Sequence, residues 1–212
     1  MIRLYVARHG ETTWNAEGRI QGRSDPALSP KGHAQSLQLC AQLRNRPLSA
    51  IYTSTLRRSV LTAQPIAEHL CLPIHQQHEL DEIAFGIMEG IQFTDVVGQM
   101  RAEWERFRED RLTYRIPGAE NYTDVTNRLR PFEETILRKH EGQEILIVAH
   151  RGVNRMLLGL LLEVPVEEAL NIEQTNECLY LVERNGNPRV SYCLNGKAKE
   201  GLFRVGENAT IL

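Results

Sequence analysis

Apolar positions along the chain fall into two patterns. Short continuous runs bounded by polar or turn residues occur at 4–7, 50–53 and 144–149. Runs of this kind read as strands covered on both faces. Longer segments repeat their apolar residues at helical spacing. Ala34, Leu37, Ala41 and Leu43 predict a helix from Pro30 to about Arg46, with Ser29 as N-cap, Pro30 in the first turn and Pro47 as the stop. A second helix is predicted from Val60 to about Leu70, with Ser54 as its cap. A third runs from Thr94 to about Arg111 on Val96, Val97, Met100, Trp104 and Phe107. Two more follow, Tyr122–Lys139 and Val153–Leu162. The segments 178–182 and 189–194, joined through Asn185-Gly186, predict a hairpin, and the chain after Asn195 reads as polar and irregular.

Strand and helix in repeated alternation predict an α/β fold: a three-layer α/β/α sandwich with a mostly parallel central sheet. The hairpin requires at least one antiparallel strand. The chain has 212 residues with no repeat, low-complexity tract or linker, so a single domain spanning 1–212 is expected. At this length a domain buries roughly 70% of its unfolded surface, enough for a real core.

Charge and cysteine content narrow the function classes. With 25 Lys+Arg against 27 Asp+Glu, nothing suggests nucleic-acid or anionic-membrane binding, and any anion site must be a local cluster. No apolar run reaches membrane-spanning length. Cys40, Cys71, Cys178 and Cys193 lack CxxC spacing, and no secretion signal is visible, which points to a reduced, cytoplasmic setting. The sequons at Asn121 and Asn208 carry no weight in that setting. His69, Cys71, His75 and His78 match no zinc pattern, so neither metal nor cofactor is expected. No feature of the sequence sets an oligomeric state.

Candidate chemistry gathers where strands end. The first strand runs into Arg8-His9-Gly10, followed by Thr12 and Asn15; the clearest strand, at 144–149, runs into His150-Arg151-Gly152. In open α/β sheets ligands bind at the carboxyl edge of the strands. Arg8, Thr12 and Asn15 are donors suited to a phosphate, and His9 serves as nucleophile, base or further donor. A polar loop with Gln21-Gly22 can close over an anion with its backbone N–H groups and the Gln21 amide. The second strand leads through Ser54 into Arg57-Arg58. A mixed acidic and apolar loop at 79–90, with Gly86 and Gly90, offers one of its carboxyls, beside Phe85 and other apolar neighbours, as a general acid; a solvated acidic loop is the plain alternative. Arg-His-Gly alone fits a satisfied polar pair at a strand end equally well; the longer string is far more specific. Together these groups make a kit for phosphoryl transfer without metal.

The string Arg8-His9-Gly10-Glu11-Thr12-x-x-Asn15, then Ser54-x-Leu56-x-Arg58, then Glu82 with Gly86 and Gly90, then His150-Arg151-Gly152, resembles the histidine phosphatase superfamily, which includes the cofactor-dependent phosphoglycerate mutases. The matches stand in order over about residues 3–155. The resemblance implies that His9 is the nucleophile and becomes phosphohistidine. It implies that Arg8, Arg58 and His150 grip the phosphoryl oxygens with help from Asn15, and that Glu82 protonates the leaving oxygen and then deprotonates water. Thr12, Gln21 and Gly22 would belong to the same pocket, with Arg57 exposed. Two arginines and a protonated His would balance the phosphate charge. Arg151 stands where a small residue is commoner; it is either a surface Arg at a helix start or a contact to a second anionic group on the substrate. Ser59 stands where many relatives have Ala. The expected activity is phosphomonoester hydrolysis of a small phosphorylated metabolite. A phosphoglycerate mutase is the alternative, and a phospho-ligand-binding non-enzyme the weaker third reading. Ile91-Gln92-Phe93 stands where the mutases carry basic residues.

Overall fold

The computed structural model describes residues 1–204, so the sequon at 208–210 lies outside the described residues. One seven-stranded sheet organises the chain: β1 (Ile2–Arg8), β2 (Leu48–Thr53), β3 (Ile74–Gln76), β4 (Glu144–Ala149), β5 (Cys178–Arg184), β6 (Arg189–Leu194) and β7 (Lys197–Glu200). Their order is β3-β2-β4-β1-β5-β6-β7. The first four pair in parallel, and β5, β6 and β7 join by antiparallel pairing. The helices are α1 (Thr13–Ala16), α2 (Pro30–Leu43), α3 (Arg57–Leu70), α4 (Gly98–Glu109), α5 (Tyr122–Lys139), α6 (Arg151–Leu162) and α7 (Val166–Ala169).

Alternation along β1 divides its side chains between two layers. Tyr5 and Ala7 pack with Leu39 and Leu43 of α2 and Ala63 and Ile66 of α3, together with Ile51, Leu146 and Val148. Leu4 and Val6 face the larger cluster, built with Val125 and Leu129 of α5 and Val153 and Leu157 of α6. The helix after β1 therefore covers one face and the helix after β4 the other, although β1 and β4 are neighbours. That divergence opens a crevice at their carboxyl ends.

Three local expectations are corrected. Ser29 caps α2 as expected, accepting from Gly32 N at 3.1 Å. Ser54, however, does not cap α3, which begins after Leu56. The Asp25 carboxylate, from a distant loop, accepts from Arg57 N at 2.6 Å and Arg58 N at 3.2 Å instead. The helix expected from Thr94 starts at Gly98, preceded by a 3-10 turn at Phe93–Asp95. The segment after Asn195 is not irregular throughout. Asn195 and Gly196 both take positive φ (51° and 76°), a two-residue hairpin that returns the chain as β7.

Candidate active site

Strand register brings the two histidines together. Arg8 pairs with Ala149, and His9 N donates to Ala149 O at 2.9 Å, so the residues that follow each strand emerge side by side. Their rings lie 5.0 Å apart between centroids. On the other side of β4, Thr53 pairs with Val148, which sets Ser54 next to the same edge. Both imidazoles are buried, as is Arg58.

His9 is held on both sides of its backbone: Asn176 Nδ2 donates to His9 O at 2.6 Å, and Gly10 N donates to Thr62 Oγ1 at 2.9 Å. Its Nδ1 lies 2.7 Å from Gly10 O, a pure acceptor, so Nδ1 carries the proton and Nε2 keeps its lone pair. Burial, then the Arg58 and Arg8 charges, push the His9 pKa well below the ordinary imidazole value. His150 is pushed down likewise by burial and Arg58. Both rings are thus held neutral by their surroundings. The protonated His expected to help balance a phosphate would arise only with the phosphate, whose own charge favours an imidazolium there.

Arg58 crosses the crevice. Its Nε donates to His150 Nδ1 at 3.3 Å, one terminal nitrogen donates to Gly22 O at 2.7 Å and the other to Ser24 O. Arg8 donates to Gln174 O at 3.2 Å, while its buried Nε has no hydrogen-bond partner among the described residues. Burial and the nearby Arg151 lower the Arg8 pKa to about 10, which leaves it cationic at neutral pH. A buried guanidinium N–H without a partner, whose charge reaches the His9 ring, fits an anion.

Glu82 lies on the loop that follows the 3-10 turn at His78–Leu80. Its carboxylate accepts from Gly152 N at 3.3 Å and Val153 N at 3.2 Å, the first turn of α6, and from Ile83 N at 3.0 Å. A helix N-terminus favours a carboxylate. Gly152 is needed here for space: a Cβ on it would lie 2.7 Å from Glu82 Oε1. Arg128 supports this loop from beneath, donating to Asp81 O at 2.5 Å, to Glu79 O and, through Nε, to Glu120 at 3.0 Å.

The remaining expected residues occupy the following places. Thr12 caps α1, accepting from Asn15 N at 3.1 Å, while Asn15 Oδ1 accepts from Thr12 N at 3.1 Å. Gln21 Oε1 lies 3.0 Å from Thr12 Oγ1, within the same group. The loop after Gln21 differs from expectation. Arg23 N and Ser24 N donate to the Glu89 carboxylate at 3.0 and 2.8 Å, and the carbonyls of Gly22 and Ser24 turn toward Arg58. Gly22, at φ 55°, is required both by that turn and by the close approach of Glu89. Arg151 forms a bidentate pair with the buried Glu173, at 2.7 and 2.5 Å, and Arg155 also reaches Glu173 at 3.3 Å. Arg57 is exposed.

Sequence reasoning missed the supporting set: Asp25, Glu89, Arg128, Gln174 and Asn176. No local pattern marks them, because each acts on a segment far away in the chain. Among the described residues, no three His, Cys, Asp or Glu side chains cluster as metal ligands. No helix among them is long and apolar enough to cross a membrane.

The site is therefore a neutral, oriented imidazole that feels two arginine charges, with a second imidazole beside it and a carboxylate at the first turn of the helix that follows. Such a set can transfer a phosphoryl group through nitrogen. The profile of the histidine phosphatase superfamily, branch 1, matches residues 4–195. The chain belongs to the histidine phosphatase superfamily. It is 29% identical over 211 residues to phosphoserine phosphatase 1 of Hydrogenobacter thermophilus, covering 100% of both chains. It is 30% identical over 189 residues to the probable phosphoglycerate mutase GpmB of Serratia proteamaculans, covering 89% of this chain and 87% of that one. A mycobacterial glucosyl-3-phosphoglycerate phosphatase, solved with VO3, matches its structure with a TM-score of 0.80 at 25% identity, over 89% of this chain and 96% of the other. Like these superfamily members the chain is an enzyme, a phosphatase of the phosphoglycerate mutase family.

Proposed function

We propose that the enzyme hydrolyses a small phosphorylated metabolite by way of a phosphohistidine on His9. The observation that carries this reading is the fixed tautomer of His9, whose Nδ1 is tied to Gly10 O at 2.7 Å while its buried ring lies 5.0 Å from His150. In the first step Nε2 attacks phosphorus, the N–P bond forms, and the ester P–O bond breaks. Glu82 supplies the proton that the leaving oxygen takes up. In the second step water attacks the phosphohistidine, its proton returns to Glu82, and inorganic phosphate leaves with His9 restored.

Arg8 and Arg58 bear the charge. A phosphate monoester carries roughly −1.5 to −2 at neutral pH, and two guanidiniums in a buried crevice offset it without a metal ion. Asn15 completes the grip on the phosphoryl oxygens, joined by His150 once the arriving phosphate's charge favours its imidazolium and makes its Nδ1 a donor, with Thr12, Gln21 and Gly22 shaping the wall beside Asn15. Arg151, next in the chain to His150, is committed to the buried Glu173 and supports the site's edge rather than meeting a second anionic group of the substrate. The reading takes the chain as one domain, acting in the cytoplasm on a small molecule and not on nucleic acid or membrane. Phosphoserine is the first substrate to try, given the likeness to a phosphoserine phosphatase along the whole chain.

The test is a rapid acid quench on isotopically labelled substrate. A phosphoryl group on the protein that is labile in acid and stable in base, absent in His9→Ala, is the expected result. Full turnover by His9→Ala overturns the reading.

A further inference from the structure

His150 has a hydrogen-bond partner at each ring nitrogen. Arg58 Nε lies 3.3 Å from Nδ1, and Ser54 Oγ lies 2.7 Å from Nε2. Ser54 Oγ is in turn 2.7 Å from Ser59 Oγ, and Ser59 Oγ is 3.0 Å from the Leu56 carbonyl and 3.3 Å from the Ser54 carbonyl. All these side chains are buried.

The direction of every hydrogen in this chain is determined by its two ends. A guanidinium N–H only donates, so His150 Nδ1 accepts and bears no proton. The neutral ring then carries its proton on Nε2 and donates it to Ser54 Oγ. Ser54 Oγ also receives Leu56 N–H at 3.2 Å, so its own hydrogen goes to Ser59 Oγ. Ser59 ends the chain on a backbone carbonyl, which only accepts. We propose that Ser59 is a positioning residue: acting through Ser54, it fixes the Nε2–H tautomer of His150 and so keeps Nδ1 as the acceptor that orients Arg58.

Removing the Ser59 hydroxyl takes away the acceptor for Ser54. Ser54 then turns its hydrogen toward His150 Nε2, and the ring proton moves to Nδ1. There it faces the Arg58 N–H, donor against donor, and the guanidinium is displaced from the crevice. This rests on the role given above to Arg58 and His150. The tautomer itself is read without any turnover, so the two ideas fail separately.

The experiment is long-range 1H–15N correlation of the imidazoles in labelled protein at pH 6–8, with His150 assigned by the signals lost in His150→Gln. Wild-type enzyme should show His150 neutral with its proton on Nε2. Ser59→Ala should shift population to the Nδ1–H form and reduce kcat/KM on the order of tenfold, the size of one net hydrogen bond, mainly through KM. Ser59→Thr, which keeps the hydroxyl, should restore the wild-type tautomer. A wild-type ring protonated on Nδ1 overturns the proposal by itself, whatever the variants do. A folded Ser59→Ala enzyme with an unchanged His150 spectrum also overturns it and leaves Ser59 a packing residue.

Discussion

Replacing Gly152 with Ala tests the placement of Glu82 with a single methyl group. The added Cβ would lie 2.7 Å from Glu82 Oε1 and 3.0 Å from Ile83 Cγ2, where ordinary contact begins at 3.4 Å. The carboxylate must then withdraw by about 0.7 Å and loosen its bonds to Gly152 N and Val153 N, already long at 3.3 and 3.2 Å. The fold itself should tolerate this. Gly152 sits in the first turn of α6 with ordinary helical backbone, and Gly→Ala in a helix contributes up to about 1 kcal/mol. That gain is close to the loss of two weak contacts of about 1 kcal/mol between them. Catalysis should not tolerate it. General acid catalysis contributes on the order of 10²–10⁴-fold, and a misplaced acid forfeits much of that. Steady-state assays on serine phosphate and on nitrophenyl phosphate, beside a thermal melt, separate the effects. The expected result is on the order of a hundredfold loss on the alkyl ester, less than tenfold on the aryl ester, and a melting temperature within a few degrees of wild type. Equal losses on both substrates at unchanged stability would remove Glu82 from the acid's role.

Three further expectations follow from the same geometry. His9 and His150 are both held neutral in the fold, while their unfolded pKa is about 6.5. The unfolded state therefore binds more protons below pH 6.5; the stability they contribute is complete above that pH and is lost as pH falls, by up to about 1.4 kcal/mol per pH unit for each ring. Denaturant titrations of His9→Gln should show a shallower acid slope than wild type, and an identical slope would refute the neutral assignment. Arg151→Ala should destabilise the fold by about 3 kcal/mol, since it leaves the buried Glu173 with Arg155 alone at 3.3 Å; a shift under 1 kcal/mol in equilibrium unfolding would show that this pair is not structural. Phosphate release should outrun phosphoglycerate interconversion even with a bisphosphoglycerate primer, because the segment after Gly90 supplies no basic residue before Arg101 to clamp a second anion. The opposite ratio would make the enzyme a mutase.

Local signals in the sequence carry through to the structure, whereas contacts made from far along the chain leave no mark in it. β4 is apolar on both faces because helices cover both, and the run at 144–149 shows this directly. α5 begins at Tyr122 and ends at Lys139 as its apolar stripe predicts, with Asn121 capping. The start of α3 was misjudged because a carboxylate at position 25 takes the capping role and releases Ser54 to His150. β7 was missed because Lys197-Ala-Lys199-Glu is exposed throughout and has no apolar face to betray it; the Asn195-Gly196 turn was the available sign. For the site, residue types at strand ends located His9, Arg8 and His150, but the charge state of the two rings depends on burial that no sequence pattern displays.

The order of strands has a kinetic consequence. β1 lies between β4 and β5, so the first strand made finds no neighbour until residues from 144 onward exist, and Arg8 meets Ala149 across a separation of 141 positions (149 − 8). Closing so long a loop is slow compared with forming hairpins or helices. The helices and the β5–β6–β7 meander are local enough to form beforehand. The paired histidines, by contrast, exist only once β1 has inserted into the centre of the sheet. During refolding, enzymatic activity should return after most helical signal has recovered, as a clock for that single insertion.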